Sequence, residues 1–86
     1  METGSWRDPK SHLQEVSQRL DGQTPVYKVL SEEGPDHDKV FKLGVFVGDR
    51  LMGQGSGPSK QVAQQAAARA ALAEYRRLND GSESAA

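Results

Sequence analysis

Apolar residues recur at helical spacing near both ends of the chain and at every second position in between. Leu13, Val16 and Leu20 form one stripe, while Ser11, Gln14, Glu15 and Gln18 fall on the opposite face of the same predicted helix. Asp8-Pro9 opens that helix, because Asp is a favoured N-cap and Pro is pre-set for the first helical position. Asp21-Gly22 closes it, with Gly in the usual C-terminal place.

After the extended entry Thr24-Pro25, the run Val26 to Leu30 is rich in β-branched and aromatic residues, with Tyr27 and Val29 alternating against Val26 and Lys28. Gly34-Pro35-Asp36-His37 reads as a loop of turn residues. Val40 to Val47 is the clearest strand, with Phe41, Leu43, Val45 and Val47 on one face. Gly48-Asp49 turns the chain into a third, short strand from Arg50 to Gln54. Gly53, Gly55 and Gly57 alternate into Pro58-Ser59, where Ser59 can cap a second helix from about Lys60 to Leu78. Ala63, Ala67, Ala68, Ala71, Leu72 and Tyr75 share one side of it, and small residues there let it lie close against a neighbour. Arg76 and Arg77 suit the dipole of its last turn.

The predicted order is α-β-β-β-α: an α+β fold, a two-layer sandwich with both helices on one face of a three-stranded antiparallel sheet. The expected core is Leu13, Val16, Tyr27, Phe41, Leu43, Val45, Ala67, Ala71 and Leu72. Residues 1–7 are expected to be linker, 8–78 the domain, and 79–86, built of Gly, Ser, Ala and acid, a disordered tail.

Composition narrows the function classes. With 86 residues there is room for one domain. There is no cysteine, so packing alone must stabilise it, which fits a cytoplasmic protein. No apolar run approaches the ~20 residues that span a membrane, and the first residues lack the pattern of a secretory signal. The formal charge of −1 hides a split: residues 7–77 carry all eleven basic residues against nine acids, a formal +2. Glu32, Glu33, Asp36 and Asp38 crowd into one stretch. Any surface for a polyanion must therefore be a local patch rather than a global field.

Several motifs resemble those of one family when taken together. Asp8-Pro9-Lys10-Ser11-His12-Leu13-Gln14-Glu15, then Pro25-Val26-Tyr27, then Glu33-Gly34-Pro35-Asp36-His37 with Phe41 follow in order. Gly53-Gln54-Gly55-Ser56-Gly57-Pro58-Ser59-Lys60 with Ala63 and Ala67-Ala68 completes the set. Over about residues 8–73 the chain resembles double-stranded-RNA-binding domains, above all the C-terminal domain of bacterial ribonuclease III.

The resemblance implies that A-form RNA is read by shape, across two successive minor grooves and the phosphates between them. It implies RNA contacts from Ser11, Gln14, Glu15 and Gln18 on the first helix, and from Pro35 and His37 in the loop. It implies further contacts from Ser59, Lys60, Gln61 and Gln64 at the start of the second helix. Amides and a carboxylate suit the 2′-hydroxyl, which both donates and accepts. The helix start suits phosphate through its free N–H groups. Here the chain departs from the family pattern, which commonly has a second lysine where Gln61 stands, another charged residue where Gln64 stands and often a basic residue at Pro58. A weak isolated binder is therefore expected.

The resemblance also implies that double-stranded RNA and the parent's nuclease domain are the partners. The domain itself would hold no cofactor and the parent would use magnesium. The parent would act as a dimer, and the isolated domain would be a monomer. No catalytic constellation emerges in this chain. His12 and His37 lack ligand-like spacing. Gly48 to Gly53 has the spacing of a phosphate-binding loop, but Gln54 stands where that motif needs Lys. The chain alone is not expected to cut RNA. A rival reading from another class is a domain of the same fold that has lost RNA binding and serves protein docking or dimerisation.

Overall fold

The computed structural model describes the backbone of residues 8–85 and the side chains of residues 8–78. The expected linker, residues 1–7, lies outside the described residues. Helix α1 spans Pro9–Asp21 with Pro in its first turn. The Asp8 carboxylate makes no capping hydrogen bond, contrary to the expectation. Its charge instead lies close enough to Tyr27 to act on that hydroxyl. Gly22 ends the helix in the left-handed region at φ 67°, its N–H donating to the Gln18 carbonyl over 3.0 Å.

The face of α1 that meets the core is Leu13, Val16 and Ser17, all buried. Ser17 satisfies its hydroxyl by donating to the Gln14 carbonyl over 3.2 Å. Leu20, expected on the apolar stripe, is 47% exposed. Tyr75 closes the core at that end of the helix, and Leu20 lines a surface groove beside it with His12, Arg19 and Arg76.

Three antiparallel strands follow in the order β1-β2-β3: β1 Val26–Glu33, β2 Val40–Val47 and β3 Arg50–Gly57. β1 outruns the expected Val26 to Leu30, because a bulge at Leu30 lets Ser31, Glu32 and Glu33 pair with Lys42, Phe41 and Val40. β3 outruns Gln54, with Gly55, Ser56 and Gly57 pairing with Leu43, Lys42 and Phe41. A bulge between the pairs of Val45 and Phe46 sends Met52 into the core at 4% exposure, a residue the alternation had not assigned there.

Helix α2 spans Lys60–Ala85. The sequence reading ends it at Leu78 and leaves 79–86 as tail; once nucleated, a helix gains one hydrogen bond for each residue added. It lies across β3 almost in backbone contact. A Cβ at Gly53 would collide with Ala71 N and stand 2.7 Å from the Ala67 carbonyl oxygen. A Cβ at Gly55 would collide with Ala67 N. The alternating glycines are thus a strand's inner face rather than a loop, and the alanines of α2 fill the space they leave.

Both helices cover one face of the sheet, as the two-layer architecture requires. The core gathers Leu13, Val16, Val45, Val47, Met52, Ala67, Ala68, Ala71 and Tyr75, with Leu43 and Ala63 also buried. Tyr27, Phe41 and Leu72, expected within it, are half-buried at its margin. Tyr27 sits on β1, an edge strand of the sheet, which leaves it less covered. Among the described residues no helix is long and apolar enough to cross a membrane.

Candidate nucleic-acid interface

Ser11, Gln14, Glu15 and Gln18 stand exposed on α1, opposite its buried stripe. The spacing i, i+3, i+4, i+7 puts them on one face by helix geometry alone. Gln18 Nε2 donates to Thr24 Oγ1 over 3.0 Å. An amide has two donors and an acceptor, so this bond orients the side chain while leaving it able to bond outward.

Pro35 and His37 are exposed in the β1–β2 connection. This segment is more ordered than a plain loop: Asp36–Asp38 forms one 3₁₀ turn, and Asp38 N–H donates to the Pro35 carbonyl over 2.9 Å. Gly34 adopts φ 99°, and a Cβ there would collide with the Asp38 carbonyl oxygen, so the turn depends on glycine. Two of the crowded acids are engaged. Lys39 Nζ lies 3.6 Å from Glu32 and 3.7 Å from Asp36. Both pairs are partly solvated and add little stability, but they lower the local negative charge that would repel phosphate.

At the start of α2, Ser59 is the N-cap: Val62 N–H donates to its Oγ over 3.2 Å and Ala63 N–H to its carbonyl over 3.0 Å. Lys60 and Gln61 are exposed, and Gln64 is half-buried. Gln64 Oε1 accepts a hydrogen bond from Lys10 Nζ of α1 over 3.1 Å. Lys60 Nζ stands 5.8 Å from the centre of the Phe41 ring, and Lys39 Nζ 5.9 Å from the same ring. Cations at that range are attracted by the ring's electron-rich face.

The fold therefore joins the three regions. His37, Lys39, Phe41 and Pro58 line one open cleft of about 380 Å³, which brings the β1–β2 turn against the start of α2. The Lys10–Gln64 bond ties α1 to the same helix. Sequence reasoning missed Lys10, Lys39 and the role of Phe41. Lys10 lies four residues before Gln14, so helical spacing could have placed it on the site's face. No local signal marks Lys39, whose position depends on sheet register.

The resolved pKa shifts fall on structural groups rather than on this surface. Burial, then the nearby Asp8 charge, pushes Tyr27 up to about 12. Burial and the 2.5 Å hydrogen bond to Asp21 push Tyr75 upward. The Arg77 guanidinium, hydrogen-bonded to Glu74, holds that carboxyl below its ordinary range. Among the described residues no cluster of three or more His, Cys, Asp or Glu side chains could hold a metal ion.

Residues 9–75 match the family described as "Double-stranded RNA binding motif". The chain is 53% identical over 66 residues to "Ribonuclease 3" of Protochlamydia amoebophila, covering 77% of this chain and 27% of that protein. It is 52% identical over 69 residues to "Ribonuclease 3" of Moorella thermoacetica, covering 80% of this chain and 30% of that protein. It thus spans less than a third of the length of these ribonucleases. Among solved structures, Arabidopsis HYL1 superposes with a TM-score of 0.69 at 33% identity, over 81% of this chain and 99% of that one. Dicer from Pichia stipitis superposes with a TM-score of 0.61 at 29% identity, over 76% of this chain and 31% of that one. With its α-β-β-β-α order, its surface and these matches in agreement, the chain belongs to the double-stranded RNA binding motif family.

Proposed function

We propose that this domain is the substrate-binding module of a ribonuclease III, holding duplex RNA for a nuclease domain that cleaves and processes it. The observation that carries the reading is the joining of three polar regions by α2, through Lys10–Gln64 on one side and Lys60–Phe41 on the other. An A-form helix presents shallow minor grooves with 2′-hydroxyls on either side of phosphates that line its major groove. The amides of α1 and the turn bearing His37 suit the two minor grooves. Ser59, Lys60 and the amides at the start of α2 suit the phosphates between them.

The nuclease domain of the parent would supply divalent-metal chemistry, with magnesium as the ion, and would dimerise. This domain would remain monomeric on its own, leave RNA uncut, and act in the cytoplasm. Fluorescence anisotropy with a ~20-base-pair RNA duplex, and with the DNA duplex of the same sequence, tests the binding role. The expected result is binding to RNA alone, weakening with salt, and a salt slope reduced by about 1 in Lys60→Ala. Equal binding of DNA would refute recognition by shape. No binding of either duplex, together with a concentration-dependent dimer on gel filtration, would replace this reading by protein docking.

A further inference from the structure

The start of α2 is poor in lysine: Lys60 is followed by Gln61 and Gln64. The structure shows what occupies the place beside Gln64. Lys10 reaches across from α1, and its ammonium donates to Gln64 Oε1 over 3.1 Å. Gln64 lies four residues after Lys60, one turn further along the same face of α2. Lys10 lies three residues before the buried Leu13 and four before the exposed Gln14, half-buried at the border of the exposed face of α1. The Lys10 side chain thus stands where the amide face of α1 meets the cation-bearing face of α2.

We infer that Lys10 is a phosphate-binding residue of this domain, and that Gln64 is the residue that positions it. The inference rests on the duplex-RNA reading above. A lysine at 64 would place a second ammonium against Lys10 and drive it off. A glutamine there offers a carbonyl oxygen that holds the ammonium in place and leaves its other two donors for an anion. The cation is delivered to the turn above Lys60 from the other helix. Lys39 is less suited to that task, because Glu32 and Asp36 already stand within 4 Å of its ammonium. The partner of Lys10 is a neutral amide, so its charge is not cancelled by that contact.

The test compares wild type with Lys10→Met, Gln64→Lys and the double variant, by anisotropy with the RNA duplex across a salt series. Methionine keeps the aliphatic stem of the half-buried Lys10 and removes only the charge. Each phosphate contact accounts for about a 3.5-fold loss of affinity between about 50 and 200 mM salt. Lys10→Met should therefore bind more weakly at low salt, with the slope of log affinity against log salt smaller by about 1 and the thermal midpoint unchanged. Gln64→Lys should restore affinity and slope in the Lys10→Met background and add little to wild type, since only one cation fits the position. A Lys10→Met domain that binds with the wild-type slope would overturn the inference while leaving duplex binding intact. An additive gain from Gln64→Lys in both backgrounds would overturn the exchange between the two positions. A wild-type domain that binds no duplex RNA would overturn the function and this inference together.

Discussion

Replacing Gly55 by alanine adds one methyl group where α2 lies against the sheet. A Cβ built there collides with Ala67 N and stands 2.5 Å from both the carbonyl carbon and the Cβ of Ala66. Two of these three atoms are backbone inside a helix, so no rotamer change clears them. Burying the methyl would by itself favour folding by about 0.8 kcal/mol. Overpacking a close-packed contact costs about 1–3 kcal/mol, and rigid backbone puts this site at the upper end, near 3 kcal/mol net. At about 0.05–0.15 kcal/mol per residue, the described domain holds roughly 4–12 kcal/mol in total. The variant therefore loses a quarter of its stability or more, and at about 4–8 °C per kcal/mol its midpoint falls by at least ~12 °C. Thermal unfolding followed by far-ultraviolet circular dichroism measures this. Gln54→Ala, exposed on the other face of the same strand, is the control, with an expected change within about 0.5 kcal/mol. If Gly55→Ala melts together with Gln54→Ala, the close approach of α2 to β3 does not govern the packing, and the argument fails.

Two further perturbations probe single atoms. Ser59→Ala removes the acceptor of the Val62 N–H and should cost about 1 kcal/mol in urea denaturation; an unchanged midpoint would show that the cap contributes nothing. Tyr27 carries a buried hydroxyl with no hydrogen-bond partner among the described residues, so Tyr27→Phe should stabilise the fold by about 1 kcal/mol. Its pKa of about 12, against an ordinary 10.0, means that the unfolded chain releases this proton first. Stability from this group is thus complete below pH 10 and declines as pH rises towards 12. Equal alkaline slopes for wild type and Tyr27→Phe in that window would refute the assignment.

The elements that the sequence made legible are those whose signal is local. The stripe Leu13–Val16 against Ser11–Gln14–Glu15–Gln18, and the alternation from Phe41 to Val47, each fix an element and its buried face without reference to any other part of the chain. What escaped depends on a partner distant in sequence. Gly53 and Gly55 look like punctuation until Ala66, Ala67 and Ala71 are set against them, and Gly57 until Val62 is. Met52 enters the core only because of a bulge, which no period-two pattern contains. Leu20 keeps the helical spacing yet lies where Tyr75 has already closed the core.

The site divides along the same line. Every site residue named from the sequence lies at the surface, with Gln64 alone half-buried. Their order along the chain could not show that Lys10 meets Gln64 or that Lys39 and Lys60 share the Phe41 ring. The contacts of Gln64 and Lys60 depend on the distance between α2 and the sheet, which the facing glycines and alanines set. A bulkier residue at Gly53 or Gly55 would lift the helix, and with it Lys60 from Phe41 and Gln64 from Lys10. The same small residues that stabilise the core therefore also set the spacing of the cations. A count of lysines along α2 undervalues the proposed phosphate surface, whose cations come from α1, the β1–β2 connection and α2 together.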